Sequence, residues 1–253
     1  MIDTHVHLNV TPLYENIDEH LFEAEDQGVD AFLVVGFDHP TIATALDLAD
    51  RYPSIYLSLG FHPTIAHQLT DQDYEQLETY LDHPKVRAVG EFGVDSHWTK
   101  DTLDLQIKSA HRQIEIAKKR DLPVVIHMRE SHQVMLDIVK AHAPLKGVMH
   151  CYSGPIEMLS DFLATGLYIG LDGPVTFKNA KTPKEVAVQV PIDRLVLETD
   201  APYLAPHPYR GEVNTPAYLP LIAEEIAKLR GLSKKELIQH TTKNAKNLFN
   251  IKE

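Results

Sequence analysis

Short β-branched, apolar runs alternate with longer amphipathic stretches from one end of this chain to the other, and that alternation constrains its fold more than any other feature. The runs that read as strands are Ile2–Leu8, Ala31–Gly36, Ile55–Gly60, Val86–Gly93, Val124–His127, Gly147–His150, Leu167–Leu171 and Leu195–Thr199. The stretches between them have helical period. In Thr102–Lys119, for example, Leu103, Ile107, Ala110, Ile114 and Ala117 fall on one stripe. Pro123 precedes a strand, and Gly28, Gly147 and Gly166 follow helical segments, as chain-breaking residues do. Strands that alternate with helices pair in parallel through right-handed crossovers. Eight such units suit a closed (β/α)8 barrel of the TIM type better than an open sheet, although periodicity does not itself encode closure. A chain of 253 residues fills one such barrel and could otherwise divide into two small domains. No composition shift or Ser/Gly-rich linker interrupts the series, so residues 1–253 read as one domain. The stretch Thr215–Leu248 reads as helical, with Gly231-Leu232-Ser233 separating two helices and Ser233 as an N-cap.

Side chains alternate along a strand, so His5 and His7 share one face while Ile2, Thr4 and Val6 share the other. Ligand-type residues close four further strands: Glu91, His127, His150 and Asp200. In a parallel barrel these ends converge on one face, where barrel active sites are built. One imidazole or carboxylate at one strand end is commonly a hydrogen-bonded core group. Five strand ends of this kind each need a partner in an apolar setting, and metal ions supply those partners. Four histidines and two carboxylates exceed the roughly three protein ligands of one open catalytic zinc. They suit two divalent ions about 3.5–4 Å apart, bridged by a carboxylate and a water. Asp200, if it binds one ion only, is free to orient or deprotonate that water. Such mixed ligands suit Zn, Mn, Co, Ni or Fe, with Mg less comfortable on imidazole.

Charge narrows the partners. Thirty-six acidic and 24 basic residues give a net charge of −12, which repels nucleic acid at long range. A phosphate-bearing substrate, whether nucleic acid or a small phosphoester, must then be gripped locally by metals and a few basic groups. The lone Cys151 forms no internal disulfide, no apolar run approaches the roughly 18 residues of a membrane span, and the first residues carry no basic leader. The expected location is the cytoplasm, with no membrane association and no obligate protein partner evident.

Six motifs occur in order: Asp3-Thr4-His5-Val6-His7-Leu8, Gly60-Phe61-His62-Pro63, Gly90-Glu91-Phe92-Gly93-Val94-Asp95, Ile126-His127-Met128-Arg129, His150-Cys151-Tyr152-Ser153-Gly154 and Glu198-Thr199-Asp200-Ala201-Pro202-Tyr203-Leu204. Together they resemble the TatD family of metal-dependent deoxyribonucleases, a branch of the amidohydrolase-like barrel superfamily. The resemblance implies that His5 and His7 bind one metal, that His127 and His150 bind a second, and that Glu91 bridges them in the place a carbamylated lysine takes in many related amidohydrolases. It implies that Asp200 completes the first metal's shell and that His62 lies near the scissile phosphate, although a His in a Phe-His-Pro turn also suits a structural cap. Arg129 and Arg210 are expected at the substrate. Three tracts depart from the family pattern: Glu130 where Asp is frequent, Ser96-His97-Trp98 where the tract is usually aromatic-rich, and the acid in Arg210-Gly211-Glu212-Val213-Asn214. They leave the ligand set intact and bear on substrate preference.

Other residues have two readings each. Ser153-Gly154 could offer a hydroxyl and N–H groups to a phosphate or simply cap the following helix. Cys151 should point away from His150 and act as a small buried hydrophobe. Glu198 shares the inward direction of Asp200 and could accept a hydrogen bond from a metal-bound histidine. Lys178, Lys181 and Lys184 form either a solvated surface cluster or a phosphate-steering patch. The leading expectation is hydrolysis of phosphodiesters in DNA, single-stranded and exonucleolytic in one form, or in RNA. Amide, lactone or aminoacyl-ester hydrolysis on the same two-metal site is the alternative, since both use similar ligands. A non-catalytic scaffold fits less well, because all six ligand positions are filled.

Overall fold

A run of β-branched residues on a pleated surface needs a neighbour for every backbone group, and here each run finds it in the next run along the chain. In a computed structural model, which describes residues 1–98 and 100–251, the strands are β1 (Ile2–Val6), β2 (Ala31–Gly36), β3 (Ile55–Leu59), β4 (Val86–Asp95), β5 (Val124–Arg129), β6 (Gly147–Met149), β7 (Tyr168–Leu171) and β8 (Leu195–Leu197). They form one sheet in sequence order, and every adjacent pair is parallel. The helices are α1 (Ile17–Asp26), α2 (His39–Arg51), α3 (Asp71–Tyr80), α4 (Leu103–Lys119), α5 (His132–His142), α6 (Leu159–Ala164), α7 (Thr182–Gln189), α8 (Leu219–Arg230) and α9 (Lys234–Phe249). The architecture is a nearly closed (β/α)8 barrel of the TIM type. No described helix is long and apolar enough to cross a membrane.

A few specific bonds close the seam between β1 and β8. Thr4 Oγ1 donates to the Leu197 carbonyl at 3.0 Å, and the Asp200 N–H donates to the His5 carbonyl at 2.9 Å. Asp3 is fully buried there and accepts from the Thr199 hydroxyl (2.6 Å), the Thr199 N–H (3.0 Å) and the His5 N–H (3.3 Å). Burial still pushes its carboxyl up to about 7, because three donors only partly replace water around the charge.

Local sequence sets several helix ends as anticipated. Ser233 caps α9, its hydroxyl accepting the Glu236 N–H at 3.2 Å while Glu236 accepts the Ser233 N–H at 2.9 Å; this is a reciprocal capping box. Gly231 ends α8 with φ +66°, where a side chain would be strained. The buried face of α4 differs from the apolar stripe. It includes Gln106 and Gln113, while Leu103 and Ile107 are only partly buried. Both amides are paired: Gln113 takes the Phe61 N–H at 2.8 Å and donates to the Phe61 carbonyl at 3.0 Å, and Gln106 takes the Asp95 N–H at 2.8 Å. Polar groups enter a core when their bonds are satisfied, and these two hold the ends of β3 and β4.

The core has two layers. Outward strand residues such as Val34, Leu57, Ile126 and Ile169 pack under the helices. Inward residues Leu33, Ala88, Val125, Val148 and Val196 pack against Ala245, Leu248 and Phe249 at the end of α9, so the C-terminal helix contributes to the barrel's inner core. Phe249 is 1% exposed. Phe249→Ala should lose about 3–5 kcal/mol, through lost transfer energy and the cavity left behind. A urea midpoint equal to that of the parent chain would refute this packing role.

Candidate metal centre

Parity along the strands and short departures from them bring the ligand-type residues together. His5 lies within β1, and His7 stands one residue past it. Glu91 does not close its strand as expected but sits inside β4, which continues to Asp95. His127 lies in β5, His150 directly follows β6, and Asp200 follows β8 by three residues. At Cys151 and Asp200 the backbone turns left-handed, with φ of +43° and +56°, so chain direction changes where the ladder stops. His5, His7, Glu91 and His150 are buried, while His62, His127 and Asp200 are partly so.

The donor atoms fall into two sets that share Glu91. In the first, His5 Nε2 lies 3.3 Å from His7 Nε2, 3.6 Å from Asp200 Oδ1 and 3.4 Å from Glu91 Oε2. His7 Nε2 is 3.3 Å from Asp200 Oδ1. An ion with four tetrahedral ligands at about 2.0–2.2 Å spaces its donor atoms by about 3.3–3.6 Å; His5, His7 and Asp200 meet that spacing, while Glu91 Oε2 stands farther from His7 Nε2, at 4.0 Å. The other ring nitrogens, His5 Nδ1 and His7 Nδ1, are buried with no hydrogen-bond partner among the described residues. In the second set, Glu91 Oε1 lies 2.8 Å from His127 Nδ1 and 3.7 Å from His150 Nε2. Each set could hold one metal.

The electrostatics carry the same demand for cations. Burial acts to raise Glu91, but His5, His127 and His62 outweigh it and hold the carboxyl well below the usual range. Asp200 is likewise held low against burial by His150, His7 and His5. Burial opposes charge on His150, yet Glu198, Asp200 and Glu91 raise it to about 10. An imidazole that keeps its proton so long marks excess negative charge, and a divalent ion would meet that need while displacing the proton.

Supporting carboxylates aim two of the histidines. Glu198 is fully buried, and its Oε1 accepts the His150 Nδ1–H at 3.1 Å and the Cys151 N–H, leaving His150 Nε2 turned to the centre. Gly170 makes room for it, because a Cβ there would collide with the Glu198 carboxylate. Asp95 does the same for His127, its Oδ2 lying 3.1 Å from Nε2. Despite burial, His127 and the Trp98 and His97 N–H groups hold Asp95 down to about 2. Sequence reasoning quoted Asp95 in a motif but gave it no role. Extending the alternation of β4 from Glu91 through Gly93 would have placed it on the same face.

The centre opens into a cleft of 820 Å³ lined by His62, Arg129 and Arg210, and also by Phe37, Trp98, Phe177 and Tyr203. His62 lines the cleft and also caps a turn. Its Nδ1 lies 2.8 Å from the Thr64 hydroxyl and 3.3 Å from the Thr64 N–H, which it accepts as a turn cap, and its Nε2 lies 3.7 Å from Glu91 Oε1. Burial, followed by His127, lowers its pKa to about 3, which keeps it neutral. Arg129 lies over Trp98 at 5.4 Å from the ring centroid, and Arg210 over Phe177 at 4.4 Å.

Ser153 is not brought to the cleft. It is not among the residues lining the cavity, the cap position of the following turn is Pro155, and its own hydroxyl donates to the Met128 carbonyl at 3.1 Å. Cys151 departs from expectation too. Its left-handed backbone breaks the alternation, so the half-buried thiol meets Asp172, and burial with that acid pushes it well above the usual range. Of the lysine cluster, Lys184 pairs with Glu225 at 3.3 Å, and Lys178 and Lys181 are exposed. Two departures from the family pattern meet each other, His97 Nδ1 lying 2.8 Å from Glu130 Oε1. In the third, Glu212 lines the cleft and Asn214 is structural, donating to the carbonyls of Thr199 and Tyr203.

Supports of this kind typically change metal affinity by about 10–100-fold when removed. Glu198→Ala should therefore weaken binding of the metal facing His150 by about that factor, and Glu198→Gln, which keeps one acceptor oxygen, should recover part of it. Metal titration of both variants is the check. Unchanged affinity in the alanine variant would show that the His150 ring is aimed by packing alone.

Comparison with known proteins places this geometry. The profile of the family described as TatD related DNase matches residues 2–250. The chain is 40% identical to the uncharacterized metal-dependent hydrolase YabD of Bacillus subtilis, across 99% of each chain. It is 33% identical to the 3′-5′ ssDNA/RNA exonuclease TatD of Erwinia tasmaniensis, across 99% of this chain and all of that one. The crystal structure of YjjV, a TatD homologue from Escherichia coli, superposes with a TM-score of 0.94 at 31% identity, covering all of this chain and 98% of the other. On its sequence and on its fold, the chain belongs to the TatD family of metal-dependent hydrolases.

Proposed function

We propose that this protein hydrolyses phosphodiester bonds in single-stranded nucleic acid, using two divalent cations held by His5, His7 and Asp200 on one side and by His127 and His150 on the other. The observation that carries the two-ion reading is the division of Glu91: Oε2 lies 3.4 Å from His5 Nε2 while Oε1 lies 2.8 Å from His127 Nδ1. When bound, such ions would supply an activated water and polarise a phosphoryl oxygen.

The chain's own groups do the remaining work. Asp200 stays ionised, so it can align the attacking water and accept its proton. His62 is held neutral, and its Nε2 faces the cleft side of Glu91, where as an N–H donor it would suit a non-bridging phosphate oxygen. Arg129 and Arg210 bring positive charge to the mouth of the cleft on a molecule of net charge −12. At 820 Å³ the cleft is within the range of small-ligand pockets, about 300–1,000 Å³, so it suits the end of a strand rather than a duplex. The exonuclease activity named for the Erwinia relative supports the same reading. Histidine-rich ligands favour Zn, Mn, Co, Ni or Fe over Mg. The lone Cys151 requires no oxidising compartment, and we place the enzyme in the cytoplasm.

Two variants test the assignment. Glu91→Ala removes the shared carboxylate between two close cations and should abolish activity and reduce bound metal. Two metals per chain with normal turnover in that variant would exclude the bridging role. Asp200→Asn keeps the size and one oxygen but accepts no proton, so kcat should fall by about 10²–10⁴ with KM little changed. The assay should run single-stranded DNA and RNA beside amides and lactones. Near-parental kcat with metals in place, accompanied by a lower Tm, would reduce Asp200 to a structural residue at the end of β8.

A further inference from the structure

Trp98 is the chain's lone tryptophan, and it is 67% exposed while lining the cleft beside the candidate metal centre. Scattered exposed apolar residues are ordinary, but this one is held in place. The N–H groups of His97 and Trp98 both donate to Asp95 Oδ1 at 2.8 Å. The other oxygen of the same carboxylate pairs with His127 at 3.1 Å. A single buried side chain thus ties the segment bearing the indole to the centre. The ring is braced laterally as well. His97 stands edge-on to it at 4.7 Å and 90°, and is itself fixed by Glu130, while the Arg129 guanidinium lies over the ring.

We infer that Trp98 is a stacking platform for a nucleobase next to the scissile phosphate, a role that rests on the nucleic-acid reading above. A base fits better than other flat groups because Arg129 sets a cation, matched to a phosphate, against the same ring that would take the base. Every base has a π-face, so such a platform grips a strand without reading its sequence. It also offsets the acidic surface, since stacking adds affinity that does not depend on net charge.

Because Trp98 is the lone tryptophan, its fluorescence reports this contact directly. On mixing the metal-loaded enzyme with a phosphorothioate-linked single-stranded oligonucleotide, its emission should be quenched saturably, with the same Kd as fluorescence anisotropy of the labelled strand. Trp98→Ala should raise KM for oligonucleotide cleavage about tenfold, with the loss carried by KM rather than kcat, and Trp98→Phe should recover most of it. A tetrahydrofuran spacer in place of one nucleoside flanking the cleaved bond should cost the parent enzyme the same factor and cost Trp98→Ala nothing further. Metal content and Tm of both variants control for misfolding, and the spacer series on the parent enzyme needs no variant at all. Binding by anisotropy with unchanged emission, or variant and spacer losses that multiply, would overturn the stacking role alone. A parent enzyme that neither binds nor cleaves single strands would overturn it together with the nucleic-acid reading.

Discussion

Glu91 lies buried at the barrel mouth with each oxygen turned to a different set of imidazoles, and the surrounding structure serves to keep that charge in place. A buried carboxylate is costly unless cations or donors compensate it. Here compensation is spread over several strands, because no single strand can surround a point charge. His5 and His7 approach from β1, His127 from β5 and His150 from the end of β6. Only a closed or nearly closed sheet brings such distant strands within 4 Å of one group. The barrel is therefore a requirement of the centre as well as its scaffold.

Two further carboxylates hold the imidazoles in orientation, and they differ in what else they do. Glu198 serves His150 and the Cys151 N–H, all within the barrel, and depends on the missing side chain of Gly170 for its space. Asp95 serves His127 on one side and the segment carrying Trp98 on the other, so it joins the centre to the rim of the cleft. Residues of the rim also pair with each other, His97 Nδ1 with Glu130 Oε1.

Stability and chemistry occupy opposite ends of the molecule. At one end α9 inserts Leu248 and Phe249 among the inward apolar residues of the strands. At the other, β6 and β8 end early and the backbone takes left-handed turns at Cys151 and Asp200. Apolar packing that is far from the centre can absorb the cost of gathering buried polar groups there. Gln106 and Gln113 lie between the two regimes as polar residues inside the helix–sheet layer, fixing backbone beside Asp95 and His62.

Much of this was determined by the sequence alone. Strand-helix alternation gave the eight units of the barrel, though not their closure, and a period of two put His5 with His7 on one face, since side-chain direction in a strand is a local property. The N-cap at Ser233 was legible for the same reason, while its reciprocal pairing with Glu236 was not read from the sequence. What the tertiary structure decided depends on contacts between distant segments or on backbone that leaves the regular period. Alternation failed at Cys151, where positive φ turned the thiol to Asp172, and Ser153 was claimed by the Met128 carbonyl rather than the cleft. Asp95 acquired its place because β4 runs on past Glu91, and Gln106 and Gln113 were buried because partners on other elements satisfied their amides. Local periodicity fixes which way a side chain points, but which group it meets is set by strands brought together from across the chain.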